Sequence, residues 1–152
     1  MNRVEVSTEG LGELPWIGNL ETFANIVLDK MNKKNWDISM LLCDDRTIQN
    51  LNAEYRKKNE PTDVLSFELG ETLKEEDGTE RFVAGDIVIS LQTLYENAEY
   101  FGVSPDEELR RLVIHGILHL SGYDHQTNEE NEPMLKLQEQ LMEQCGEEHI
   151  LL

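Results

Sequence analysis

Apolar residues recur along the chain with two different periods. Between residues 15 and 31 they return every three or four positions, which predicts a helix with one buried face. Residues 3–7 alternate apolar and polar side chains, and residues 38–43 form a compact apolar run, so both segments are predicted to be strands. A second helix is predicted directly afterwards, with Asp44 or Asp45 as its cap.

The middle of the chain predicts two further strands on either side of an acidic segment. Residues 64–67 and residues 83–90 are apolar runs of strand length. Residues 68–81 between them are acidic and contain Gly70 and Gly78. We expect this segment to be an exposed hairpin loop.

The last third of the chain predicts three helices, over residues 90–101, 105–120 and 129–145. The second has the clearest start, because Ser104 can cap it, a proline occupies its first turn and Glu107 completes a capping box. Its second half is apolar on every side, which indicates that this end is buried.

The resulting order, β-α-β-α-β-β-α-α-α, predicts an α+β fold in which a small mixed four-stranded sheet packs with helices. A chain of 152 residues suits a single domain spanning residues 1–152. No stretch reaches the roughly 18 apolar residues that cross a bilayer, and the first residues lack the pattern of a signal peptide. Two cysteines, Cys43 and Cys145, do not make a disulfide framework. We therefore expect a cytoplasmic protein that does not bind membranes.

Acidic residues greatly outnumber basic ones, 31 against 13, which gives a formal net charge of −18. Because proteins bind phosphates through Lys and Arg, this total argues against a nucleic-acid coat protein. The charges are unevenly placed, however. Acidic residues concentrate in residues 68–80 and 129–148, whereas residues 46–58 carry four basic residues, including Arg56, against one acidic residue. The total charge therefore does not exclude a locally positive site that binds nucleic acid.

Three of the four histidines lie between positions 115 and 125. His115 and His119 are four residues apart, so they share one face of the predicted helix, at a spacing suited to a tetrahedral metal. His125 can join them only if the helix stops, and Gly122 can adopt the left-handed conformation that reverses the chain. Three histidine ligands leave one position for water, which is typical of catalytic zinc. The alternative is three unrelated histidines at a buried helix end.

The histidine spacing matches the zincin pattern H-E-x-x-H-x-x-G-x-x-H at every defined position except one. Gly116 stands where that pattern has the glutamate that acts as general base. Asp124 or Asp86 could supply the base instead, so a peptidase remains an alternative. The metal-binding spacing is shared with zincins, but the residue that their peptidase chemistry needs is missing.

The segment from His115 to His125 resembles the signature of the YbeY family, bacterial endoribonucleases that mature 16S rRNA. Residues 51–58, which run into residues 61–67, are similar to the second recurrent block of that family. Residues 85–90 are similar to a third block. The three blocks occur in the order of the family, and the resemblance covers essentially the whole chain.

This resemblance implies an enzyme that cleaves single-stranded RNA with one Zn²⁺ or another late divalent metal. It implies 16S rRNA 3′-end maturation and ribosome quality control, with rRNA and a ribosome or ribosomal subunit as partners and no DNA. His115, His119 and His125 are the implied metal ligands, and Arg56 is the implied basic residue of the cleft. The implied catalytic residues are Arg56, His115 and His119.

Alternatives remain for single residues and for the whole protein. Arg56 could interact only with the last carbonyl groups of its helix, and Asp124 could orient His125 or simply stabilise the turn. His149 is expected to be solvated in an acidic tail. The chain could be another metallohydrolase, including a peptidase with a displaced base. It could also be a non-catalytic, ribosome-associated module that zinc stabilises.

Overall fold

The computed structural model describes residues 1–124, 129, 132–146 and 148–151. The elements follow the predicted order, so the α+β class and the four-stranded sheet with five helices are confirmed within these residues. The strands are β1 (Arg3–Thr8), β2 (Trp36–Cys43), β3 (Val64–Lys74) and β4 (Glu80–Ser90), and the helices are α1 (Ile17–Lys30), α2 (Asp45–Arg56), α3 (Leu91–Phe101), α4 (Pro105–Leu120) and α5 (Pro133–Gln144).

The sheet is mixed and has the strand order β1-β2-β4-β3, which leaves β3 at one edge. β1 and β4 each pair in parallel with β2, whereas β3 and β4 form an antiparallel hairpin. Side chains of β4 alternate between the two faces of the sheet. Ile87 and Ile89 belong to the main core with α1 and α4, while Val88 packs with Ile48 of α2 and Leu65 on the opposite face.

The helix starts follow from short polar side chains. Asp44, rather than Asp45, caps α2, because its carboxylate accepts from the N–H of Thr47 at 3.0 Å. The hydroxyl of Ser104 accepts from the N–H of Glu107 at 3.1 Å, so Ser104 caps α4 as predicted. α3 and α5 both pack against α4. This central helix therefore connects the sheet with the C-terminal part of the fold.

The prediction of a loop over residues 68–81 is wrong. β3 and β4 extend through this segment and leave only residues 75–79 between them. The two strands pair across a register shift between Glu68 and Glu71. Side chains of this part of β3 are exposed on both faces, so the segment lacks the apolar–polar alternation that identifies a half-buried strand. This part of β3 is a strand because its backbone pairs with β4. The pattern of side chains does not indicate such pairing.

The prediction that the last helix begins at residue 129 is also wrong, because α5 begins at Pro133. Glu132 has extended backbone angles, which is the conformation that a following proline favours. His149 is exposed, as expected, but its Nδ1 lies 2.9 Å from the carboxylate of Asp106, a contact that the sequence did not predict. That carboxylate also accepts from the N–H of Ile150 at 2.7 Å and therefore anchors the C-terminal segment on α4.

Cys43 and Cys145 are buried, and neither forms a disulfide. Within the described residues, every helix is too short or too polar to traverse a lipid bilayer.

Gly85 lets the β3–β4 hairpin and the end of α4 approach one another closely. Its φ is +149°, a conformation that residues with a side chain rarely adopt. A Cβ at this position would lie 2.0 Å from the carbonyl oxygen of Phe67 and 2.9 Å from Cδ2 of Leu120. Glycine is therefore required for this junction.

We predict that Gly85→Ala lowers the free energy of unfolding by about 3 kcal/mol or more, because backbone strain adds to a backbone clash. Denaturant unfolding measures the change. Gly18→Ala is the matched control, since a Cβ at Gly18 in α1 meets no atom within 4 Å. The control should stabilise the protein by no more than about 1 kcal/mol. Equal stability of the two variants would contradict this interpretation of Gly85.

Candidate active site

An open cleft of about 610 Å³ lies between the C-terminal half of α4 and the edge strand β3. It contains the three residues that were predicted to be catalytic, Arg56, His115 and His119. Its lining residues are Arg56, Val64, Leu65, Ser66, Glu68, His115, His119, Gly122, Tyr123 and Asp124.

The two histidines of α4 turn their Nε2 atoms toward each other. These atoms are 3.1 Å apart, and the ring planes are inclined at 76°. Two nitrogens bound to one tetrahedral zinc at about 2.0–2.1 Å would be about 3.3–3.4 Å apart. Both rings are partly buried at the side of the cleft. The pair therefore has the donor chemistry and the spacing of two ligands of one late divalent ion.

The predicted third ligand, His125, lies outside the described residues. Among the residues that are described, no three His, Cys, Asp or Glu side chains are grouped so as to hold an ion. Asp124 is the nearest carboxylate to the pair that the structure identifies, with Oδ1 4.0 Å from Nδ1 of His119. The described part of the chain thus supplies two imidazoles, with a neighbouring carboxylate.

Gly122 ends α4 and reverses the chain, as the sequence predicted. Its φ is +97°, and its N–H donates to the carbonyl oxygen of His119 at 3.0 Å. The N–H of Tyr123 donates to the carbonyl oxygen of Leu118 at 3.0 Å. These two bonds form a Schellman motif, which satisfies carbonyl groups at the end of the helix. The chain consequently turns back over the cleft directly after the histidine pair.

Gly116, between the two histidines, has a structural reason to lack a side chain. It packs against Ile87 of β4, and a Cβ would lie 2.9 to 3.1 Å from three side-chain carbons of that residue. The position that holds the general base in zincins therefore faces the sheet here, in contact with the core. A glutamate at this position could not reach the cleft without displacing α4.

Arg56, the last residue of α2, reaches across the edge strand into the cleft. Its Nη2 donates to the carbonyl oxygen of Ser66 at 2.6 Å, and its guanidinium carbon lies 5.3 Å from the ring centre of Phe67. The helix itself ends on Lys57, which has a φ of 58°. The guanidinium is thus directed to β3, where it lies beside the cleft.

A pair of aromatic side chains, exposed Tyr55 and partly buried Phe67, flanks this guanidinium. Tyr55 lies near the end of α2, and 60% of its surface is exposed. Its ring contacts Phe67 edge-on, with the ring centres 5.4 Å apart. Tyr55 and Phe67 line a groove on the α2 side of the sheet, and Arg56 lies between this aromatic groove and the cleft.

Arg56 is the only Arg or Lys among the described residues that line the cleft. Lys57 and Lys58 are exposed and do not line it. Glu68 and Asp124 contribute negative charge on the other sides. One guanidinium thus provides the positive charge of this cleft in a strongly acidic chain.

Of the two alternative bases, only Asp124 lies in the cleft. Asp86 is paired with Phe67 and lies on the α2 side of the sheet, where it lines a different groove. Asp63 is a structural residue, since its carboxylate accepts from Asn97 and its carbonyl oxygen accepts from the N–H of Ser90. Neither Asp63 nor Asp86 is positioned to act on a group held between the histidines.

One residue in direct contact with the histidine pair was not predicted from the sequence. Gln138 of α5 places its Oε1 2.7 Å from Nδ1 of His115, and the amide is 7% exposed. A weak signal for this interaction existed on α4, where Glu107, Arg111, His115 and His119 follow at intervals of four and so share a face. The residue on α5 that meets this face could not be identified from spacing.

A family model described as Endoribonuclease YbeY matches residues 11–146 of this chain. A Treponema denticola protein named Endoribonuclease YbeY is 57% identical over 125 residues, which covers 82% of this chain and 81% of that protein. Its namesake in Treponema pallidum strain Nichols is 48% identical over 144 residues, with coverages of 95% and 90%. The solution structure of TM1509 from Thermotoga maritima is 34% identical and has a TM-score of 0.63, over 97% of this chain and 91% of that chain.

We predict that Gly116→Ala lowers the free energy of unfolding by about 1–2 kcal/mol, because overpacking at the core exceeds the gain in helix propensity. Ile87→Val removes the nearest contacting carbon, Cδ1, at 2.9 Å. In that background Gly116→Ala should be less destabilising, because only the contacts with Cγ1 and Cγ2 remain. A double-mutant cycle by denaturant unfolding measures this coupling. An equal effect of Gly116→Ala in both backgrounds would disprove the contact as its cause.

Proposed function

Because this chain belongs to the YbeY family of endoribonucleases, and is thus an RNA-cleaving hydrolase, we propose that it is a metal-dependent enzyme specific for single strands. We further propose that it acts in the cytoplasm, in 16S rRNA 3′-end maturation and in ribosome quality control. Its partner in this proposal is a ribosome or ribosomal subunit. The observation that carries the proposal is one cleft in which the Nε2 atoms of His115 and His119 converge opposite Arg56.

In this proposal His115, His119 and His125 bind one Zn²⁺ or another late divalent ion. The spacing of the first two imidazoles supports this assignment, as does the absence of a thiolate from the described residues that line the cleft. When bound, such an ion supplies Lewis acidity, which stabilises charge on a phosphoryl oxygen and makes water a better nucleophile. The imidazoles contribute as neutral donors, held in place by α4.

Arg56 is proposed to bind the scissile phosphate. The bond to the carbonyl oxygen of Ser66 fixes the position of the guanidinium. Because a guanidinium has five N–H donors, the other donors can bind a phosphate. The transition state of phosphodiester cleavage accumulates charge on the non-bridging oxygens, and a preorganised cation stabilises that charge.

The aromatic surface beside Arg56 supports a single-stranded substrate. Unpaired bases can stack on exposed aromatic rings and guanidinium planes, whereas bases within a duplex cannot. Tyr55 and Phe67 offer such rings beside Arg56, in the groove on the α2 side of the sheet. Since the chain is acidic overall, these few contacts would provide most of the attraction for RNA.

A metallopeptidase is less compatible with this cleft. Gly116 cannot act as a base, and its position faces the sheet. Asp124 would be the remaining candidate, but it is 83% exposed at its side chain and lies 4.0 Å from the nearest histidine nitrogen. An alkoxide leaving group also depends less on a proton donor than the amine released in proteolysis, so the missing glutamate matters less for RNA.

We predict that Arg56→Ala reduces cleavage of a labelled single-stranded RNA by about 10²-fold, as the loss of one preorganised donor does in other enzymes. Arg56→Lys should recover little, because an ammonium lacks the planar two-pronged contact. Bound metal and melting temperature should be unchanged in both. Lys58→Ala is the matched control, since Lys58 is close in sequence but does not line the cleft. Normal cleavage by a folded, metal-loaded Arg56→Ala protein would remove Arg56 from the mechanism.

We predict that His119→Ala lowers bound metal and RNA cleavage together, because one ligand is lost. Mass spectrometry of untagged protein measures the metal, and a casein digestion run beside the RNA assay tests for peptidase activity. Casein cleavage without RNA cleavage by the unsubstituted, metal-loaded protein would favour the peptidase. Metal-loaded protein that cleaves neither substrate would favour the non-catalytic module. In that case His119→Ala would change only the melting temperature.

A further inference from the structure

A chain of charged and polar side chains joins α4 to α5 and ends on His115. Arg111 donates from Nε and Nη2 to the two carboxylate oxygens of Glu139, at 3.0 and 2.9 Å. A third donor, Nη1, bonds Glu107 at 3.0 Å on the same face of α4. The paired contact with Glu139 is the two-pronged geometry that fixes a carboxylate most firmly. These bonds also hold the pKa of the Glu139 carboxyl below its usual value.

Glu139 in turn fixes the amide of Gln138. Nε2 of Gln138 donates to Oε2 of Glu139 at 3.2 Å. A carboxylate can only accept, so this contact identifies the NH₂ end of the amide and leaves Oε1 facing His115. Oε1 lies 2.7 Å from Nδ1 of His115. Because an amide oxygen also only accepts, Nδ1 must carry the proton.

We propose that Gln138, held by Glu139 and Arg111, is a positioning residue that keeps His115 in the Nδ1–H tautomer with its Nε2 lone pair directed into the cleft. A neutral imidazole carries its proton on either nitrogen, and the hydrogen bond at one nitrogen decides which of them can bind a metal or a proton. The inference rests on the proposed function only in treating His115 as a ligand. The tautomer itself follows from the hydrogen bonds.

The burial of these groups supports a role in orientation. Gln138 is 7% exposed, so water does not readily replace its contact with His115. Glu139 is more exposed, with 54% of its side chain accessible, and Arg111 is 27% accessible. An exposed ion pair contributes little to stability on its own. The two-pronged contact of Arg111 with Glu139 does, however, fix the direction of the Gln138 amide. That direction determines which atom of the amide faces the His115 imidazole.

The test compares Gln138→Met with Gln140→Met, a matched control on the same helix at an exposed position. Methionine preserves approximate length and removes both the acceptor and the donor. The first readout is the ¹⁵N chemical shifts of the His115 imidazole in metal-free, full-length protein, which report the tautomer without any catalysis. The second is the affinity for Zn²⁺ and Co²⁺, measured by titration.

We expect Gln138→Met to lose the preference for Nδ1–H and to bind Zn²⁺ about 10–100-fold more weakly, as other losses of a hydrogen bond to a metal-binding histidine do. Gln140→Met should match the unsubstituted protein in both measurements. Arg111→Lys keeps the charge but not the two-pronged contact, so it should show a smaller shift in the same direction. If Gln138→Met does not fold, Arg111→Lys provides the test instead.

An unchanged His115 tautomer and unchanged Zn²⁺ affinity in folded Gln138→Met would overturn the inference. Weaker Zn²⁺ binding with an unchanged tautomer would also overturn it, because Gln138 would then act only by joining α5 to α4. Failure of the proposed function gives a different result. If the unsubstituted protein binds Zn²⁺ and does not cleave RNA, the tautomer shift in Gln138→Met is still expected.

Discussion

The close approach of α4 to the sheet is the constraint on which the rest of the cleft depends. Gly116 lets the helix rest directly on Ile87, and Gly85 lets the β3–β4 hairpin meet the end of the helix at Leu120. With this side of α4 against β4, the face that carries His115 and His119 is turned toward the edge strand and the cleft. A bulkier residue at either glycine would separate the helix from the strand that carries the Arg56 contact.

Four elements position the polar groups around the cleft. α4 supplies the imidazoles, α5 supplies the amide that bonds His115, and α2 supplies Arg56, which β3 holds through the carbonyl oxygen of Ser66. His115 and Arg56 are therefore each held by a hydrogen bond to an element other than their own. This arrangement lets a cleft with one guanidinium function within a chain of net charge −18, because the local groups and not the total charge determine what a phosphate meets.

The sequence predicted the elements whose signals are local. Residues four apart on a helix share a face whatever the rest of the fold does, so the His115–His119 pair could be anticipated. Gly122 and Ser104 mark helix ends through their own backbone and side-chain bonds, and both ends are where they were predicted. The extended hairpin of residues 68–81 was missed because its pairing partners are backbone groups, and its exposed side chains give no periodic signal.

The sequence by itself thus determined the order of the elements, the shared face of His115 and His119 and the reversal at Gly122, because each follows from geometry within one helix or one strand. Tertiary structure alone decided that Gln138 meets His115, that Arg56 crosses β3, and that Asp86 lies on the far side of the sheet. Those outcomes depend on how separate elements pack. Packing is set by the combined shapes of core side chains such as Ile87 against Gly116, and no spacing along one segment records it.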